Sequence, residues 1–122
     1  QPAVMADGDV LVAPGAASGT RRLHVTRAPV TDAAWRVEER WTSNGLKPYF
    51  NDFVVHEGHA FGFDGRILAS IDLANGARKW KGVRYGSGQM LLLADHAGER
   101  QLEFIGHAKQ EAHALLLCRG VL

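Results

Sequence analysis

Six histidines carry most of the latent chemistry: His24, His56, His59, His96, His107 and His113. Only His56 and His59 are close, in the run His56-Glu57-Gly58-His59. A helical zinc site needs H-E-x-x-H, which puts two imidazoles one turn apart. Here the pair flanks a tight turn instead. Two histidines can approach across a hairpin, but a zinc site takes at least three protein ligands. No third is spaced to join them, so they are read as exposed hairpin residues and no metal ligand is assigned. Ser18, Ser43, Ser70 and Ser87 lack a G-x-S-x-G elbow. Glu38 and Glu39 fall on opposite faces of a strand, where they are poorly placed to act as an acid–base pair. Gly86-Ser87-Gly88 lacks the following helix and the wider glycine spacing of a phosphate-binding loop. No catalytic residue is assigned.

The elements that would position these groups are short strands. Phe53–Trp80 reads as four of them: Phe53–His56, His59–Phe63, Arg66–Leu73 and Ala77–Lys81. Glu57-Gly58, Asp64-Gly65 and Asn75-Gly76 supply the turns. Phe61 and Phe63 share one face, as do Ile67, Ala69, Ile71 and Leu73. Residues 1–41 read as an earlier copy of the same unit, with Pro2–Ala6, Asp9–Ala13, Thr20–Arg27 and Ala33–Trp41 as its strands and Asp7-Gly8 as its first turn. In the last of these, Trp35, Val37 and Glu39 share a face. Residues 42–52 connect the copies, and 82–89 form a second connection. Residues 90–122 give a partial, divergent unit and a tail. In it, Met90–Ala94 and Gln101–His107 read as strands, while Ala108–Leu117 is rich in helix formers.

Length and composition narrow the function classes. The 122 residues suit one domain. Fourteen basic against thirteen acidic residues leave a net charge of +1, without the basic stripe of a nucleic-acid binder. Arg21-Arg22, Arg78-Lys79-Lys81 and Arg84 are scattered and read as solvated strand faces. Cys118 is the only cysteine, which rules out an intrachain disulfide. No apolar run is long enough for a spanning helix.

Ser70-Ile71-Asp72-Leu73-Ala74-Asn75-Gly76-Ala77-Arg78-Lys79-Trp80 resembles the A-x-D-x-x-T-G-x-x-x-W repeat of the quinoprotein-like (PQQ-like) β-propellers. Asp72, Gly76 and Trp80 match, while Ser70 stands for Ala and Asn75 for Thr. The run KPYFNDFVVHEGHAFGFDG, followed by WKGVRYGSGQ, is similar to bacterial propeller repeat proteins of this superfamily. The resemblance covers residues 41–95. It implies an all-β fold of four-stranded antiparallel blades, with a tryptophan packed between neighbours and a WD40-like overall plan. Propellers have ~4–8 blades at roughly 40–50 residues per repeat, so the chain would hold two blades and part of a third. The rest of the ring would come from a longer protein or from self-association.

On that plan the 42–52 connection lines a central channel, which makes Tyr49, Asn51 and Asp52, with Phe50, the candidate channel-facing residues. The implied function is a non-catalytic scaffold for a protein or small ligand in the bacterial periplasm or cell envelope. The alternative is a fragment of a quinone-dependent dehydrogenase, with PQQ and calcium at the channel. Asn51 and Asp52 offer oxygen ligands of the kind calcium takes, but no family ligand matches residue by residue, so no cofactor is assigned.

Overall fold

The computed structural model describes residues 1–15, 18–27, 34–49, 51–86, 88–94, 100–106 and 114–117; of 93–94, 100–106 and 114–117 only the backbone is described. The strands are β1 (Ala3–Val4), β2 (Val10–Val12), β3 (Thr20–Arg27), β4 (Trp35–Ser43), β5 (Val54–His56), β6 (His59–Asp64), β7 (Ile67–Asp72), β8 (Arg78–Arg84), β9 (Gly88–Ala94), β10 (Arg100–Gly106) and β11 (Ala114–Leu117). No helix occurs among the described residues. The strands form three antiparallel meanders: β1-β2-β3-β4, β5-β6-β7-β8 and β9-β10-β11.

Turn chemistry sets the meanders. Glu57 and Gly58 both take positive φ (46° and 75°), the geometry that lets a two-residue loop follow the twist of its strands. The result is a tight β5–β6 hairpin with His56 opposite His59.

The first two sheets share one register. Ala3, Leu11, Arg22 and Trp41 form a row across β1–β4. Val54, Phe61, Ser70 and Trp80 form the same row across β5–β8. On the opposite faces, Val4–Val10–Leu23 corresponds to Val55–Ala60–Ile71. The two sheets thus share a pairing pattern, in which Trp41 and Trp80 occupy equivalent positions.

The middle sheet is buried on both faces, because strand side chains alternate. Ala60, Ala69, Ile71 and Leu73 join Leu11, Leu46 and Phe53 in one core, against which Trp41 packs. Phe61, Phe63 and Leu68 join Met90 of β9 in a second, with Trp80 and Tyr85 alongside. Fully burying each large side chain contributes about 1.5–3 kcal/mol. Gly62 lets the first seam close: a Cβ there would stand 3.1 Å from Phe53 Cβ and 3.3 Å from Leu46 Cδ1.

Several sequence expectations change. β4 runs two residues beyond Trp41, because Ser43 pairs with Thr20. A bulge at Arg40 precedes this end, where Leu23 faces Glu39 and Arg22 faces Trp41. β8 continues to Arg84, past the expected end at Lys81. Within the stretch expected to favour helix, Ala114–Leu117 instead pairs with β10, since an available strand edge overrides weak helix propensity. The remainder of that stretch lies outside the described residues.

Candidate functional site

Among the described residues, polar side chains gather at the turn end of the seam between the first two sheets. Asp9 precedes β2 and is buried. Its Oδ2 accepts from Arg22 Nε at 2.6 Å, and its Oδ1 lies 2.6 Å from His24 Nδ1. Arg22 and His24 are neighbours on one face of β3, two residues apart. Arg22 also donates to Asp7 Oδ2 at 2.5 Å and, across the seam, to the Leu73 carbonyl at 2.8 Å. Trp41 Nε1 donates to the same carbonyl at 2.9 Å. The His24 hydrogen bond, helped by the Arg22 hydrogen bond and charge, holds the Asp9 carboxyl below its usual value against the opposing effect of burial.

Leu73 lies in the turn of the repeat motif, and the motif residues explain why its carbonyl points there. Asp72 Oδ1 accepts the Ala74 N–H at 2.8 Å, and the Asp72 carbonyl accepts the Gly76 N–H at 2.7 Å. Leu73 N–H donates to the Gly58 carbonyl at 2.9 Å, which ties this turn to the β5–β6 hairpin. Gly76 has φ 73°, and a Cβ there would stand 2.7 Å from Trp41 Cε3. Only glycine meets both demands. Ser43 Oγ donates to the Gly76 carbonyl at 2.5 Å. Trp80, the third motif residue, lies against the second core.

A cleft of about 330 Å³ opens on this cluster, lined by Asp7, Asp9, Arg22, His24, Arg40 and Ala74. A groove of about 550 Å³ runs beside it past Met5, Val55, His56, Glu57 and Asp72. Asp9 orients the His24 ring as the carboxylate of a catalytic dyad would. Yet among the described residues the cleft lining supplies no hydroxyl or thiol nucleophile, and the Asp9 carboxylate is engaged by Arg22. The arrangement braces one sheet against the next.

The other singled-out residues are dispersed. Tyr49 (φ 58°) is exposed. Asn51 N–H donates to the Pro48 carbonyl at 2.9 Å. Asp52 N–H donates to Gln89 Oε1 at 3.0 Å, and its Oδ1 lies 2.6 Å from the Gln1 nitrogen. Phe50 lies outside the described residues. Tyr49, Asn51 and Asp52 precede β5, at the end of the strands opposite the Asp9 cluster. His56 is buried, 3.6 Å from Glu57 Oε1, and His59 Nδ1 lies 2.9 Å from the Glu57 carbonyl. The expectation of two exposed hairpin histidines therefore fails for His56, whose ring turns into the groove. His96, His107, His113, Ser87 and Cys118 lie outside the described residues. Among the described residues no three His, Cys, Asp or Glu side chains gather to hold a metal ion.

The sequence reading missed the Asp9–Arg22–His24 cluster by taking Arg21-Arg22 as a solvated face. Arg78 is exposed, as expected of a solvated face, and in addition donates to the Gly45 carbonyl at 3.0 Å and pairs with Asp64. The available signal was alternation: Arg22 and His24 interleave with Leu23 and Val25, so a polar and an apolar face compete to be buried. No family model matches the chain, and neither the curated proteins nor the solved structures contain a match to it.

Proposed function

We propose that this chain is a section of a quinoprotein-like β-propeller that serves as a non-catalytic binding scaffold. The observation that carries this reading is the repeated seam. Each four-stranded sheet places the tryptophan of its outermost strand, Trp41 or Trp80, against the core it shares with the next sheet, in one and the same register. A stack built this way holds its turns and connections as fixed platforms at the two strand ends. The groove beside Val55, His56 and Asp72 is one such platform. Its apolar floor and polar rim suit a small ligand or a partner's side chain. The Asp9 cluster supports a non-catalytic role, because its charges are spent on one another and on the seam.

Cooperativity tests the scaffold. Trp41→Phe and Trp80→Phe should each lower the midpoint of a single urea transition, read by both far-ultraviolet circular dichroism and fluorescence. A variant that splits the transition into independent steps would sink the stacked reading. The dehydrogenase alternative is tested by titrating the chain with PQQ and calcium. The expected result is no calcium-dependent quinone binding and no dye reduction with alcohols or sugars; saturable binding with turnover would replace the scaffold by the enzyme.

A further inference from the structure

The groove between the β1–β2 turn and the β5–β6 turn holds a buried polar side chain that the fold does not employ. His56 is only 7% exposed, yet its ring makes no hydrogen bond among the described residues. Its polar neighbour is Glu57 Oε1, 3.6 Å from Nε2 and beyond hydrogen-bond reach. Both residues line the groove. A buried polar group in this state forfeits the bond it made to water in the unfolded chain. The open groove is the route by which a new partner reaches it.

Charge decides what that partner is. The carboxylates of Asp7, Glu57 and Asp72 line the groove against one guanidinium, that of Arg22. Each nitrogen of Arg22 is already bonded: Nε to Asp9, Nη1 to the Leu73 carbonyl and Nη2 to Asp7. Asp7 is spent in the same pairing. Asp72 has Lys79 at 3.8 Å. Glu57 differs from both. It is 64% exposed and meets no lysine or arginine among the described residues. The unspent negative charge therefore stands beside the buried ring. A neutral imidazole keeps one nitrogen as acceptor, and a carboxylate accepts at both oxygens. The pair calls for a donor that is also a cation.

The floor sets the rest of the ligand. Met5 and Val55 pack against the core shared by the first two sheets and also line the groove, which gives a methylene stem an apolar bed beside the charged end. The volume of about 550 Å³ lies in the range of small-ligand sites. No three metal-ligating side chains gather among the described residues, so the donor set suits an organic cation and not a bare metal ion. We infer that this groove binds a primary alkylammonium group, its head on Glu57 and the His56 ring and its stem along Met5 and Val55. A free alkylamine and the lysine side chain of a partner chain both carry that chemistry.

The inference rests on the binding-scaffold reading and narrows it to one ligand class. A split urea transition sinks that reading, whereas this inference stands or falls on a titration. The full chain, labelled with nitrogen-15, is titrated with pentylammonium chloride at constant ionic strength, with sodium pentanoate and pentanol as matched probes. Pentylammonium should shift the amide signals of Val55, Glu57, Gly58 and Ala74 saturably, and the other two probes should not. E57Q changes an exposed side chain without changing its size and should weaken binding about tenfold, the effect of one lost charged hydrogen bond. H56F removes the ring acceptor and should weaken it as well; E57Q decides the matter if H56F does not fold. The peptide acetyl-Gly-Lys-Gly-amide separates the sources: binding as tight as pentylammonium supports a partner's lysine, and weaker binding supports a free amine. Pentylammonium shifts that do not saturate would overturn the proposal. So would pentanoate or pentanol binding equally well at the same amides, or an E57Q chain with unchanged affinity.

Discussion

The two seams of this molecule hold similar sheets together by different means. The seam between the first and second sheets has a core of small and medium side chains, Ala60, Ala69, Ile71, Leu11 and Leu73, overlaid by directional bonds from Arg22, Trp41, Ser43 and Arg78 to main-chain carbonyls. The seam between the second and third sheets relies on bulk: Phe61, Phe63, Leu68 and Met90, with Trp80 alongside. Its described polar tie is the Asp52 N–H on Gln89. Apolar burial is strong but does not discriminate between positions, whereas a hydrogen bond is modest in net energy and strict in geometry. Among the described residues, the first seam is therefore fixed in register by directional bonds, and the second packs a bulkier core.

Cutting volume from the second seam should cost most. Phe61→Ala removes a fully buried ring and is expected to destabilise the chain by about 3–5 kcal/mol, read from urea unfolding; a loss under half of that would mean the core collapses around the gap. Arg22→Met tests the polar seam next. It strips Asp9 of its guanidinium and Leu73 of one donor, with an expected loss of about 1.5–3 kcal/mol, the range for charged hydrogen bonds. A neutral result would show that the cluster is dispensable and that both seams depend on packing alone. Trp41→Phe keeps most of the ring and deletes one bond to a carbonyl that Arg22 still serves, so about 1 kcal/mol is expected.

The smallest effect is a pH dependence. The folded state lowers the Asp9 pKa below its usual 3.8, so the unfolded chain binds more protons in that region. The stability that Asp9 contributes is complete above the ordinary aspartate value and is lost as the pH falls through the folded one. Asp9→Asn should flatten this part of the acid limb of stability against pH; an unchanged limb would place the acid sensitivity elsewhere.

The all-β fold and the middle sheet were legible because turn residues and alternation agree there. Glu57-Gly58, Asp64-Gly65 and the Asn75-Gly76 turn punctuate a run whose two faces are both apolar. The first sheet was harder to read. Its polar residues Arg22 and His24 lie on the buried face, and the bulge at Arg40 shifts the outer strand's register, which local alternation does not reveal. The Asp9 cluster was invisible for a related reason. Its members are local in sequence, but the carbonyl that anchors them is 51 residues from Arg22, and a backbone acceptor leaves no mark on residue identity. The tail misled at Ala114–Leu117, because Ala and Leu favour helix only until a strand edge offers them partners.

That anonymous carbonyl has a further meaning. Leu73 receives Trp41 and Arg22 through its peptide oxygen, not its side chain, and the peptide is the one group every residue type supplies. A neighbouring sheet can drift in sequence, or be exchanged for another of the same turn geometry, while the docking points stay in place. The first sheet carries its own half of the fastening and asks of its neighbour only a correctly shaped turn. Any turn that presents its peptide oxygen in that place can therefore receive the Trp41 and Arg22 donors, whatever side chain it carries.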